Sequence, residues 1–304
     1  WILQAPQDNS LFKTTYGLTQ ERFDALRTDW ERLLLEARSK RGAPLRDHKL
    51  ITSWNALLVS AYTEAYSAFG MAHYLKKATD LYGLISAKAP ENLRHIYKAS
   101  KTAPVFSQDI VFLSQAALAL YLTTNNTIYL AAAENKMAYL NSRFYSEEKS
   151  AYAFGDANEL MAPLYVFSDG VMPSDNGVAA QVNFLIGHIK FDTKASEKST
   201  KAMANVQTYM SSDLANYTQW GQVYLYKLFP FYELAILGPQ ALDFTEKVNK
   251  IGLPNVLVVG SQEPSELPLF QDRYIAGETL FYVCVDYSCK LPVSSISEAL
   301  EQLQ

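Results

Sequence analysis

The chain has 304 residues, 49% hydrophobic and 19% charged, with only 13 glycines and 12 prolines and a formal net charge of −4. That composition builds a core and excludes a disordered chain. The lack of any dense basic run argues against nucleic acid, because phosphate binding needs clustered Lys or Arg.

No apolar run reaches the roughly 18 to 20 residues that cross a bilayer, so no membrane partner is expected. No basic-then-apolar leader precedes Trp1, and the first residue is not Met, which suits a processed or excised chain. The compartment is not readable from these features; the cytoplasm is favoured.

In chain order, Thr19 to Arg41 predicts a helix with Thr19 as its cap. Its apolar Phe23, Leu26, Trp30, Leu33, Leu34 and Ala37 recur at helical spacing. A loop, Gly42 to Lys49, carries Asp47 and His48. Seven further helices follow: Ser53 to Phe69, Met71 to Ala87, Ser107 to Thr123, Thr127 to Phe144, Ser174 to Ile189, Lys194 to Met210 and Gly221 to Leu237. Their linkers alternate between short and long, as in stacked helical hairpins.

Three of these helices open alike, on Ser53-Trp54-Asn55, Ser107-Gln108-Asp109 and Ser174-Asp175-Asn176. Ser, Asp and Asn accept bonds from the free N–H groups of a first helical turn. If the three helices stand side by side with one polarity, these polar residues gather at one mouth. A Tyr-Leu-x-x-Ala pattern, at Tyr74 to Ala78 and again at Tyr129 to Ala133, marks a repeated two-helix unit. Repeated hairpins form an open solenoid or a closed α/α toroid. The toroid is favoured, because the first helix of each unit is apolar nearly all round and needs cover on both sides.

The tail changes character near Gly252. Val256 to Gly260 and Leu280 to Val285 read as buried strands, and Ser295 to Leu303 as a closing helix. The expected organisation is a mainly α, partial α/α toroid over residues 1–251 with a small α/β appendage over 252–304.

Four motifs in order carry a resemblance. They are Arg-Gly-Ala-Pro-x-x-Asp-x-Lys-x-x-Thr-Ser-Trp-Asn (Arg41 to Asn55), Asp-Gly-x-x-Pro-Ser-x-Asn (Asp169 to Asn176), Val-Val-Gly (Val258 to Gly260) and Tyr-Val-Cys-x-x-x-x-Cys-x-x-Pro-Val (Tyr282 to Val293). Together they resemble the C-terminal part of the YyaL-like thioredoxin-domain proteins, which include the spermatogenesis-associated protein of mammals. The resemblance implies an α/α toroid of the six-hairpin glycosidase type, related in shape to sugar epimerases. It does not imply a settled activity.

The chain departs from that family in several places. It shows neither the thioredoxin-like domain's Trp-Cys-type motif nor the family's His-Phe-Glu-Lys-Met-Leu-Tyr-Asp-like stretch. It also has Asp47-His48-Lys49 where the family shows Asp-Asp-Lys, and Asp109-Ile110-Val111 for Asp-Tyr-Ala. The expected partners are therefore a sugar ligand and either the missing N-terminal half or a second copy.

Asp47, Asp109 and Asp169 are the candidate acids, since glycoside chemistry needs two carboxylates several ångströms apart. Asn55, Ser174 and Asn176 are candidate binders of sugar hydroxyls, or else simple helix caps. Trp54 either stacks on a sugar ring or packs between hairpins. An epimerase of this shape needs a base, and His48 is the histidine placed near the mouth; His188, inside an apolar helix, reads as a core residue. The histidines lack metal-ligand spacing, so neither metal nor cofactor is expected. Cys284 and Cys289 are read as reduced structural thiols, with a local disulfide as the alternative. Two functions stay open: a carbohydrate-binding or carbohydrate-processing domain, and a non-catalytic scaffold that holds a partner.

Overall fold

A computed structural model describes residues 7–87, 92–97, 103–155 and 162–303. They fall into two compact units, residues 1–48 and 49–304.

The first unit holds α1 (Asn9–Thr15) and α2 (Gln20–Ser39). Asp8 caps α1 by accepting from the Leu11 N–H, and Thr19 caps α2 by accepting from the Arg22 N–H. Phe12 packs against Phe23 and Trp30, with ring centroids 6.1 and 6.3 Å apart. Leu33, Leu34 and Leu35, further along α2, are exposed.

The second unit is built from helical hairpins: α3 (Thr52–Phe69) with α4 (Ala72–Ile85), α5 (Ser107–Thr124) with α6 (Thr127–Phe144), and α7 (Asp175–Lys190) with α8 (Thr193–Ala204). The joints are tight, and left-handed residues end the first helix of each pair: Gly70, Asn125 and Phe191, at φ 66°, 55° and 54°. Glycine reaches that region freely and Asn tolerates it. Phe191 instead has its ring set against Tyr287, with centroids 4.4 Å apart.

The first helices form an inner row, α3 beside α5 and α5 beside α7, which continues to α10 (Thr218–Leu228). α5 and α7 are buried nearly all round, including Ile110, Val111, Phe112, Leu113, Val178, Ala179 and Val182. This is the packing expected of helices covered on both sides. The fold is mainly α, with toroid-type hairpins and a small sheet at the C-terminal end.

Two expected helices end differently. The stretch Lys194 to Met210 is broken at Asn205–Val206 into α8 and α9 (Gln207–Ser212). The helix expected over Gly221 to Leu237 stops at Leu228, before Phe229-Pro230, because Pro230 cannot donate to a continuing helix. Tyr232–Leu237 is then β3, the strand between β4 (Val256–Ser261, parallel to it) and β5 (Leu280–Val285, antiparallel). β6 (Ser288–Cys289) completes the order β4-β3-β5-β6. The sheet thus draws a strand from ahead of Gly252. One sheet face, with Leu234, Ile236 and Val283, packs on α11 (Ala241–Asn249) and α12 (Ile296–Gln302). The other, with Ala235, Leu237 and Cys284, joins the core of the hairpins.

Among the described residues no helix is long and apolar enough to cross a membrane.

Candidate functional site

The N-terminal ends of α3, α5, α7 and α10 meet, and the polar triplets join them. Ser174 is the one serine of the three that caps its own helix, accepting from the Gly177 N–H at 3.1 Å. The other two helices start after Ile51 and Phe106, which give no side-chain cap. Asp109 takes over both tasks. Its carboxylate accepts from the Phe106 N–H at 3.0 Å in its own helix and from the Ser53 N–H at 3.2 Å in α3.

The other joints follow the same plan. Ser107 donates its hydroxyl proton to Asp175. Asp169 accepts from the Ser174 N–H (2.9 Å), the Thr218 hydroxyl (3.0 Å) and the Gln219 N–H (2.9 Å), so it ties α7 to α10. Asn176 accepts from the Tyr152 N–H at 2.7 Å and donates to the Tyr152 and Val166 carbonyls at 3.0 and 3.1 Å. It thereby fixes a short hairpin, β1 (Tyr145–Ser146) and β2 (Ala151–Tyr152), to α7. Asn55 donates to the Ile51 carbonyl at 2.8 Å. Trp54 is 58% exposed, so it is not a core knob. Asp47 and His48 lie in the other unit, on its exposed final segment.

Burial sets the electrostatics. Asp175 is 4% exposed, and loss of water pushes its carboxyl up to about 6 against the opposing bonds from Ser107 and Asn176. Asp109 is fully buried, and His95 Nδ1 lies 3.0 and 3.1 Å from its two oxygens. A carboxylate only accepts, so Nδ1 donates and the ring's other nitrogen, Nε2, is left for exchange. The hydrogen bond to Asp109 holds the imidazole above its ordinary range, against burial. The ring is 23% exposed and packs edge-on to Phe106 at 5.1 Å. This is a buried acid orienting a half-buried base. His95 lies outside any helical pattern, and no sequence signal other than its residue type marks it.

Below these starts, the inner helices line a cavity of about 760 Å³. Its walls include Thr63 and Glu64 of α3, Gln115 of α5, Gln181 of α7, and Gln222 and Tyr226 of α10. The side-chain amides form a row. Gln115 and Gln219 donate to the Gln181 carbonyl at 3.4 and 2.9 Å, and Gln181 donates to Gln222 at 3.1 Å and to the Tyr226 hydroxyl at 3.3 Å. Gln115 Oε1 is buried and, among the described residues, accepts from no group. Gln219 joins the two regions, since its N–H binds Asp169 and its side chain binds Gln181.

Among the described residues no group of three or more His, Cys, Asp or Glu side chains is placed to hold a metal ion. Cys284 and Cys289, expected as reduced thiols, are joined as a disulfide. β5 and β6 form a hairpin that sets the two residues directly opposite each other.

No family model matches the chain. It is similar to spermatogenesis-associated protein 20 of Rattus norvegicus, 23% identical over an alignment of 331 positions that covers 98% of this chain and 41% of the relative. It is also similar to an uncharacterized protein of Caenorhabditis elegans, 22% identical over 290 residues, covering 89% of this chain and 40% of the other. The chain thus spans about two fifths of the length of these curated relatives. Among solved structures it resembles a GH76 α-mannanase of Bacteroides thetaiotaomicron, with a TM-score of 0.50, 11% identity, and coverage of 73% of this chain and 66% of that one. At that identity the likeness shows the fold alone.

Proposed function

We propose that the hairpin body is a carbohydrate-binding or carbohydrate-processing domain whose ligand lies in the groove along α3, α5, α7 and α10. One observation carries this reading: a connected row of side-chain amides lines a roomy cavity. A side-chain amide both donates and accepts, as a sugar hydroxyl does, so the row suits such a ligand. Tyr226 and, at the helix starts, the exposed Trp54 offer aromatic faces. The mannanase named above is a carbohydrate-active protein by its name, and the shared hairpin frame agrees with the reading.

If the domain also performs chemistry, His95 is the acid–base group, since it is the histidine that a buried carboxylate, Asp109, orients at the helix starts. Asp109 and Asp169 spend their oxygens on N–H and O–H donors, so they act as positioning groups in this proposal. The same bonds favour a second reading, a non-catalytic scaffold, in which the polar starts only bolt the hairpins together.

A thermal-shift screen against monosaccharides, disaccharides and nucleotide sugars separates the two. A ligand at about 100 times its dissociation constant adds roughly 2.7 kcal/mol of stability. The expected result is a shift that Gln222→Ala weakens, while His95→Ala leaves binding in place and removes any turnover. The absence of a shift with every sugar, in a folded chain, refutes the carbohydrate reading and leaves the scaffold.

A further inference from the structure

The sheet holds a second constellation, separate from the groove. In the strand register, Glu233 of β3 stands opposite Cys284 of β5, and Cys284 stands opposite Cys289 of β6. The three residues form one cross-strand row on the face that joins the hairpin core, because side chains directly opposite each other share a face.

Glu233 is fully buried. One of its oxygens lies 2.5 Å from His188 Nδ1 near the end of α7, and the other, Oε2, is buried without a hydrogen-bond partner among the described residues. Cys284 is fully buried, whereas Cys289 is half-buried. The turn between them, Asp286-Tyr287, is left-handed at both residues, with φ 49° and 68°. It is pinned by the Tyr287 ring against Phe191 and His188, with centroids 4.4 and 5.7 Å away.

We propose that Cys284–Cys289 is a thiol–disulfide exchange site whose substrate is an external thiol. The thiolate of that thiol attacks the accessible Cys289 sulfur, forms a mixed disulfide with it, and breaks its bond to Cys284. Cys284 leaves as a thiolate and takes up a proton through the Glu233–His188 pair. A second external thiol then attacks the mixed disulfide and frees Cys289. Two external thiols become one disulfide, and the protein gains two thiol protons and two electrons.

The unpartnered Glu233 oxygen gives the site its direction. In the oxidised protein neither sulfur has a proton to offer it, and after reduction the Cys284 S–H beside it does. A buried acceptor satisfied only in one redox state favours that state. Reduction is therefore easier here than for a disulfide that serves only as a staple.

The test is equilibration of the whole chain in a series of reduced-to-oxidised glutathione ratios, with the thiols trapped by alkylation and counted by mass, and folding followed by circular dichroism. The expected result is complete, reversible reduction with the fold kept. Glu233→Gln, which replaces the acceptor by an amide, is expected to lower the equilibrium constant for reduction about tenfold, equal to about 30 mV. If that variant does not fold, single serine variants decide: Cys284→Ser leaves a Cys289 that forms a mixed disulfide with glutathione, while Cys289→Ser leaves an unreactive Cys284. A disulfide that persists at every ratio until the protein unfolds overturns the proposal, as does a Cys284 more reactive than Cys289.

Discussion

Asp175→Asn isolates the cost of burying charge at the helix starts. The carboxyl sits at about 6 in the fold because burial removes its water, against an ordinary 3.8. That gap, about 2.2 pH units at about 1.4 kcal/mol each, is worth about 3 kcal/mol. The sign follows from linkage: a folded value above the unfolded one gives stability that is present below pH 3.8 and lost as pH rises through about 6. Asparagine does not titrate, and the site can absorb it. The new amide can donate to Ser107, whose hydroxyl then turns to the Phe154 carbonyl, already 3.3 Å away. In urea unfolding at pH 4, where the unfolded carboxyl is already part ionised, and at pH 7.5, the variant should gain about 2.4 kcal/mol relative to the native chain between the two. A difference between the proteins that stays constant with pH would refute this reasoning.

Two further substitutions probe the packing. Lys136 is buried on α6, donates to the Tyr82 hydroxyl at 3.0 Å, and is lowered to about 8 by burial. Lys136→Met should stabilise the chain at pH 7 by at most about 3 kcal/mol. The gain should shrink as pH rises from about 8 to 10.5, where the native lysine sheds its proton, and chemical denaturation across that range checks it. Asn176→Ala leaves the Tyr152 N–H and the Tyr152 and Val166 carbonyls without its bonds. A loss on the order of 3–5 kcal/mol is expected, with faster hydrogen exchange at β2.

The hairpins were legible because their signals are local. The apolar runs opening at Ser53, Ser107 and Ser174, with the repeated Tyr-Leu-x-x-Ala helices between them, predict α3 to α7 to within a residue or two at most ends. β3 was missed because Tyr232–Leu237 is short and, apart from Glu233, apolar on both faces, and such a run at the end of a helical pattern does not reveal its own period. Pro230 was the available stop signal. The gathering of polar residues at one mouth was also legible, but their partners were not. A cap bonds within its own helix, whereas Asp109 reaches α3 and His95, and Asp175 reaches Ser107, across separations that only the fold closes. The amide row was equally hidden, since Gln115, Gln181, Gln219 and Gln222 share no spacing and meet only where α5, α7 and α10 do.

The central claim is that the amide row of the groove binds the ligand. Nuclear magnetic resonance of the side-chain amides tests it most directly, with the glutamine and asparagine signals assigned and followed while the sugar panel is added. The expected result is a saturable, joint shift of Gln115, Gln181, Gln219 and Gln222, with Asn176, already committed to Tyr152 and Val166, unmoved. Shifts confined to Asn55 and Asn176, or no shift in any amide, would contradict it.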